Sequence, residues 1–240
     1  MRSSWRCPGL APTKELWLLR CKLSCGELFR YIKLPVNVRL LSTINQGLCW
    51  KCGSGPVSGL FCNQCNTLQK PEQKTNYFSL MGIKEEYKID DRQLTTKFRK
   101  LQNILHPDRF STKTEEECSI SEEYSSLVNK AYSTLLQPLE RGLYMLQQKG
   151  VTIEEDGTQM DPTFLAVIME TNEQLADAQS MSDVERLDNE NKKMLLDLTN
   201  ELEAAFNADD ITTAKSVLIK MKYYNSIDGR IKELKQKFTG

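Results

Sequence analysis

The sequence predicts an all-α protein, an N-terminal helical hairpin plus a C-terminal three-helix bundle, preceded by a small tetra-cysteine metal-binding knuckle. From Asn76 onward, apolar residues recur at helical steps of three and four. No run of alternating β-branched residues in that stretch argues for a strand. Two Cys-x2-Cys pairs, Cys49/Cys52 and Cys62/Cys65, stand ahead of the helices. With 240 residues, 27% charged and 40% hydrophobic, the chain has room for one or two small domains rather than a large enzyme core. Its longest apolar runs, such as Leu16-Trp17-Leu18-Leu19, fall far short of the ~20 residues that span a bilayer, so no membrane segment is expected.

The leader, residues 1–48, holds eight basic groups and two acidic ones, a net +6, so the remainder carries −6. Trp17, Leu18, Leu28, Phe29, Ile32 and Leu40 are spaced among the basic groups, the pattern of a mitochondrial transit peptide. A secretory signal needs a continuous apolar core of roughly 7–15 residues, which is missing, and a plain basic tail is the remaining alternative. An acidic body argues against a nucleic-acid partner, because phosphates reward a basic face.

Residues 49–70 form the knuckle. Each cysteine pair brings two thiolates within reach of one tetrahedral ion, and Gly53, Gly55 and Gly59 allow tight turns between them. Two disulfides are the rival in an oxidising setting. A redox Cys-x-x-Cys pair usually lies beside a βαβ pattern that is missing here. Structural zinc on Cys49, Cys52, Cys62 and Cys65 is the expected cofactor, with a rubredoxin-like iron as the alternative because both metals accept four sulfurs. Cys118 is left unpaired once a cleaved leader removes Cys7, Cys21 and Cys25.

Residues 71–149 open with a polar linker and a short helix at Tyr77–Met81, stopped by Gly82. A second helix starts after Asp90-Asp91 and places Leu94, Phe98, Leu101 and Leu105 on one face, with Lys97, Arg99 and Lys100 largely off it. Pro107 ends it. A third helix carries Tyr124, Leu127, Val128, Ala131, Tyr132 and Leu135, and beyond Pro138 a short one carries Leu139, Leu143 and Leu146. The only histidine, His106, falls in the turn His106-Pro107-Asp108. Catalysis there would need a nucleophile or metal-site partner, and no second histidine exists to help.

Residues 150–240 begin with a linker bracketed by Gly150 and Gly157. Asp161-Pro162 starts the next helix. Ser182-Asp-Val-Glu185 is a capping-box sequence opening a helix with Val184, Leu187, Met194, Leu198 and Phe206 inward. Asp209-Asp210 opens the last helix, lined by Ala214, Val217, Met221, Tyr224, Ile231 and Leu234, and three such helices fit an antiparallel bundle. At about 100° per residue, Phe164, Val167, Ile168 and Leu175 share one side of the first of them. Leu165, Met169 and Glu173 form a second strip, and Tyr223 lies off the Met221/Tyr224 line. Either a second packing face or a partner contact would explain both, and packing is favoured from the residues alone.

The series Tyr77-Phe-Ser-Leu80-Met-Gly82, Phe98-Arg99-Lys100-Leu101, His106-Pro107-Asp108 and Asn129-Lys130-Ala131-Tyr132 resembles a J-domain over about residues 76–137. Leu105 and Arg109 stand where many J-domains have an aromatic and a lysine, and the acidic stretch between Phe110 and Tyr124 is longer than usual. The resemblance implies that His106, Pro107 and Asp108, with Lys97, Arg99 and Lys100, engage a DnaK-type (70-kDa heat-shock) chaperone and stimulate its ATPase. Adding the leader, the knuckles, Arg141-Gly142-Leu143-Tyr144-Met-Leu146 and the acidic-apolar helix, residues 49–240 resemble the HscB/Jac-type iron–sulfur co-chaperones of vertebrate mitochondria. That family implies binding of an IscU-type scaffold protein through Leu165, Met169, Glu170, Glu173 and Tyr223, cluster transfer to recipient apoproteins, no enzymatic activity of its own, and residence in the mitochondrial matrix, with the cytoplasm as a second compartment. Ala166 stands where some members have a larger apolar residue, which weakens that one contact.

Overall fold

The structure, a computed structural model, describes residues 47–57, 59–72, 74–153 and 161–239. The proposed transit peptide therefore lies outside the described residues, apart from Gly47 and Leu48. Among the described residues there are seven α-helices and no strand: α1 (Tyr77–Met81), α2 (Asp91–Leu105), α3 (Glu115–Leu136), α4 (Pro138–Gln148), α5 (Pro162–Ala176), α6 (Met181–Asn207) and α7 (Ile211–Thr239). A single turn of 3-10 helix, Pro107–Phe110, joins α2 to α3. The knuckle ahead of them has one antiparallel bridge, between Phe61 and Leu68.

The boundaries follow local chemistry. Asn76, Asp90 and Asp161 accept amide hydrogens at the starts of α1, α2 and α5. Gly82, at φ +61°, ends α1 in the left-handed region where a side chain would be strained. The acidic stretch after Phe110 resolves into the first turns of α3, opened by Thr114: its hydroxyl accepts from the Glu117 amide (3.3 Å) and donates to the Glu117 carboxylate (3.0 Å). α6 begins two residues before the expected box. Ser180 and Asp183 cap each other, because the aspartate carboxylate reaches back to the Ser180 amide at 3.1 Å.

One core runs through α1–α7, from Phe78 to Ile231, and α6 and α7 form its largest helix pair. The hairpin and the bundle meet at α4. Gly142 lies against Leu218 and Leu202, so close that a β-carbon would stand 2.6 Å from Leu218 Cδ2. Arg141 is buried nearby, its guanidinium 4.9 Å from the Tyr87 ring centre and donating to the Leu135 carbonyl. Tyr87 stacks on Phe206 of α6 (5.4 Å), and burial of its phenol, opposed by the charge of Arg141, pushes the Tyr87 pKa to about 12. On α6 the buried apolar positions are Val184, Leu187, Leu198, Leu202 and Ala205, while Met194, expected inside, is exposed. Its place in the core phase belongs to Asn191, whose amide donates to the Tyr224 carbonyl (3.2 Å). Val167, expected on the inner face of α5, is exposed too; Ile168 and Leu175 alone bury deeply there.

Candidate functional site

The four knuckle cysteines converge. Their Sγ atoms all lie within 4.8 Å of one another, with Cys49–Cys65 at 3.5 Å and Cys52–Cys62 at 3.7 Å. Two loops of the same geometry achieve this. Gly53 donates to the Cys49 carbonyl and Asn66 to the Cys62 carbonyl, each at 2.9 Å, and both residues have positive φ. The Lys51 and Gln64 amides point at the sulfur of the first cysteine of each loop, both at 3.4 Å. Burial works to raise the Cys49 thiol, yet the amides of Cys52 and Lys51 bring it down to about 6. The Cys65 and Gln64 amides lower Cys62 in the same way. A metal held by sulfur at about 2.3 Å spans a tetrahedron with edges of about 3.8 Å, so the spacing of the four sulfurs fits a tetrathiolate ion, and amides favour the thiolate at Cys49 and Cys62.

The knuckle docks on the hairpin. Lys51 pairs with Glu117 (3.2 Å) and Lys70 with Glu116 (2.8 Å), while within the knuckle Trp50 Nε1 donates to the Leu68 carbonyl (2.7 Å). Burial would raise the Glu117 carboxyl, but hydrogen bonds from Lys51 and Thr114 hold it below the usual carboxylate range.

His106 caps α2, and its Nδ1 accepts from the Asp108 amide (3.3 Å). The His106 and Asp108 side chains are exposed, 54% and 90%. Arg99 and Lys100 are exposed on α2, whereas Lys97 is half-buried with its Nζ donating to the Gly82 carbonyl. The three basic residues thus differ in availability, and Lys97 braces the end of α1.

On α5, Met169 is 63% exposed, Glu170 and Glu173 are exposed, and Leu165 is half-buried. Tyr223 reaches the same place from α7: the Phe164 ring stands edge-on to Tyr223 (5.6 Å) and to Tyr224 (6.0 Å). The packing explanation favoured from sequence therefore fails for Met169, whereas Tyr223, 37% exposed, is partly packed against Phe164 and partly open. Sequence reasoning missed Phe164 as the ring that seats Tyr223. It also missed Glu117 as the knuckle's anchor, although Thr114-x-x-Glu117 is a capping-box signal.

Residues 160–232 match the family described as the HSCB C-terminal oligomerisation domain. The chain is 40% identical over 193 residues to the human iron–sulfur cluster co-chaperone protein HscB, covering 78% of this chain and 82% of the human one. The mouse protein of the same name is 40% identical over 190 residues, covering 77% and 81%. The crystal structure of human co-chaperone protein HscB matches with a TM-score of 0.74, over 78% of this chain and 98% of that one, at 40% identity.

Proposed function

The chain belongs to the HscB family of iron–sulfur cluster co-chaperones, and on that premise we propose that it captures an IscU-type scaffold on α5 and α7 and delivers it to a DnaK-type chaperone. The observation that carries this is the strip itself: Leu165, Met169, Glu170 and Glu173 on α5, with Tyr223 of α7 held against Phe164 of the same helix, leave apolar surface exposed among acidic groups. Anchors of this kind dominate protein interfaces.

In this reading residues 150–240 bind the scaffold and residues 71–149 address the chaperone. His106, Pro107 and Asp108 dock from a short, exposed turn, and Arg99 and Lys100 with Lys97 supply positive charge along α2. Hydrolysis of ATP takes place on the chaperone, whose change of state releases the cluster to recipient apoproteins. Zinc is the expected ion of Cys49, Cys52, Cys62 and Cys65, with iron as the alternative, and it supplies a cross-link rather than a reactive centre. The leader, residues 1–48, addresses the chain to the mitochondrial matrix.

Scaffold binding tests the strip. Leu165→Ala, Met169→Ala and Tyr223→Ala together should abolish capture in titration calorimetry, each anchor being worth on the order of 2 kcal/mol, while basal stimulation of the chaperone ATPase persists. Unchanged scaffold affinity in that triple variant would reduce the protein to a general J-domain co-chaperone for unfolded polypeptides.

A further inference from the structure

The turn at His106 has its own small core, separate from the one that unites α1–α7. Leu105, Phe110, Ile120, Tyr124 and Val128 make it from the hairpin side, and Leu68 completes it from the knuckle, at 0% exposure. Trp50, Leu60 and Phe61 of the knuckle pack around its edge.

Both ends of the turn are held by this region. Ser121, fully buried on α3, donates its hydroxyl to the carbonyl of Leu105, the residue before His106 (2.8 Å). Cys118 Sγ donates to the carbonyl of Phe110, which closes the 3-10 turn (2.9 Å). Leu68 in turn is fixed by the cysteine cluster. Its neighbours Thr67 and Gln69 are buried, the Thr67 hydroxyl stands 3.3 Å from Cys65 Sγ, and Gln69 Nε2 donates to Cys49 Sγ (3.4 Å) and to the Thr67 carbonyl (2.7 Å). Physical contacts thus run from the cysteines through Leu68 and the small core to Leu105 and Phe110, which bracket the turn at its two ends.

We propose that Leu68 and Ser121 are positioning residues for the His106 turn, and that the loaded knuckle is the buttress that keeps this turn ordered for chaperone docking. The inference rests on the chaperone-docking role proposed above. Without that small core the exposed turn would fray, and each binding event would have to repay its ordering.

Amide hydrogen exchange on the full-length, metal-loaded protein reads the turn with no chaperone present. In Leu68→Ala and in Ser121→Ala, exchange at His106, Asp108, Arg109 and Phe110 should rise about tenfold, with core amides of α6 and α7 unchanged. Chelation of the wild-type protein should reproduce that local pattern. The concentration of either variant giving half-maximal ATPase stimulation should rise by a similar factor of about ten, while the plateau and scaffold affinity hold. A purely structural role would lower the melting temperature without that split. Should Leu68→Ala fail to fold, Ser121→Ala decides, since it removes one hydroxyl and keeps the packing. Turn exchange at wild-type rates in the folded variants overturns the proposal. A wild-type protein that fails to stimulate the chaperone overturns the docking role instead, and the exchange result still stands as the measure of positioning.

Discussion

His106 is tied to the rest of the molecule mainly through its backbone, since its imidazole accepts only the amide of Asp108 two residues on. His106→Gln should therefore abolish stimulation of the chaperone ATPase, with circular dichroism and scaffold affinity nearly unchanged; broad unfolding would mark the residue as a structural cap instead. Two helical glycines make a sharper pair. Gly142→Ala drives a methyl into Leu218 and should cost about 1–3 kcal/mol in urea denaturation, because a filled core resists overpacking. Gly229 in α7 faces open space, so Gly229→Ala should stabilise by about 0.5–1 kcal/mol through helix propensity alone. Nothing in the sequence separates these two glycines. The difference lies in what α6 and α7 bring to each, which no local pattern encodes.

At the scale of elements, Asp188 joins α6 to α7, accepting from Lys192 (2.7 Å) on its own helix and Lys235 (2.6 Å) on the next. Burial alone would raise its carboxyl, but the two lysines hold it below the usual range. A carboxylate depressed in the folded state stabilises fully above its unfolded pKa of about 3.9, and that contribution fades as pH falls through the lower folded value. Asp188→Asn should then cost about 1–3 kcal/mol near neutral pH and progressively less as pH drops below about 4. Parallel thermal melts of the two proteins across that window check it. The starts of α2, α5 and α7 and the break at Pro138 were legible because aspartate and proline mark them directly, whereas the caps Asn76, Thr114 and Ser180 were not. Interior phase was less so over the 27 residues of α6, where a small drift exposes Met194 and buries the polar Asn191. The cysteine cluster was legible from spacing, but its seat on α3 was not, since Lys51 and Glu117 are 66 residues apart.

Among the described residues one main core reaches from Phe78 to Ile231, sealed at the α4 crossing by Arg141, Tyr87 and Phe206. Cooperative unfolding follows from such continuity, and the main helices should melt in a single transition seen alike by far-ultraviolet dichroism and by tyrosine fluorescence. Removal of the knuckle metal should leave that transition in place, because Leu68 belongs to the smaller core. On the proposed function, the sealed α4 crossing acts as a ruler. A flexible tether would present captured scaffold over a wide volume. The rigid body instead presents it at one distance and bearing from the His106 turn, so the second encounter proceeds at a high effective concentration set by geometry. Loosening that crossing with Gly142→Ala, which lies in neither proposed binding face, should weaken the coupling between scaffold capture and ATP hydrolysis while each separate binding constant holds.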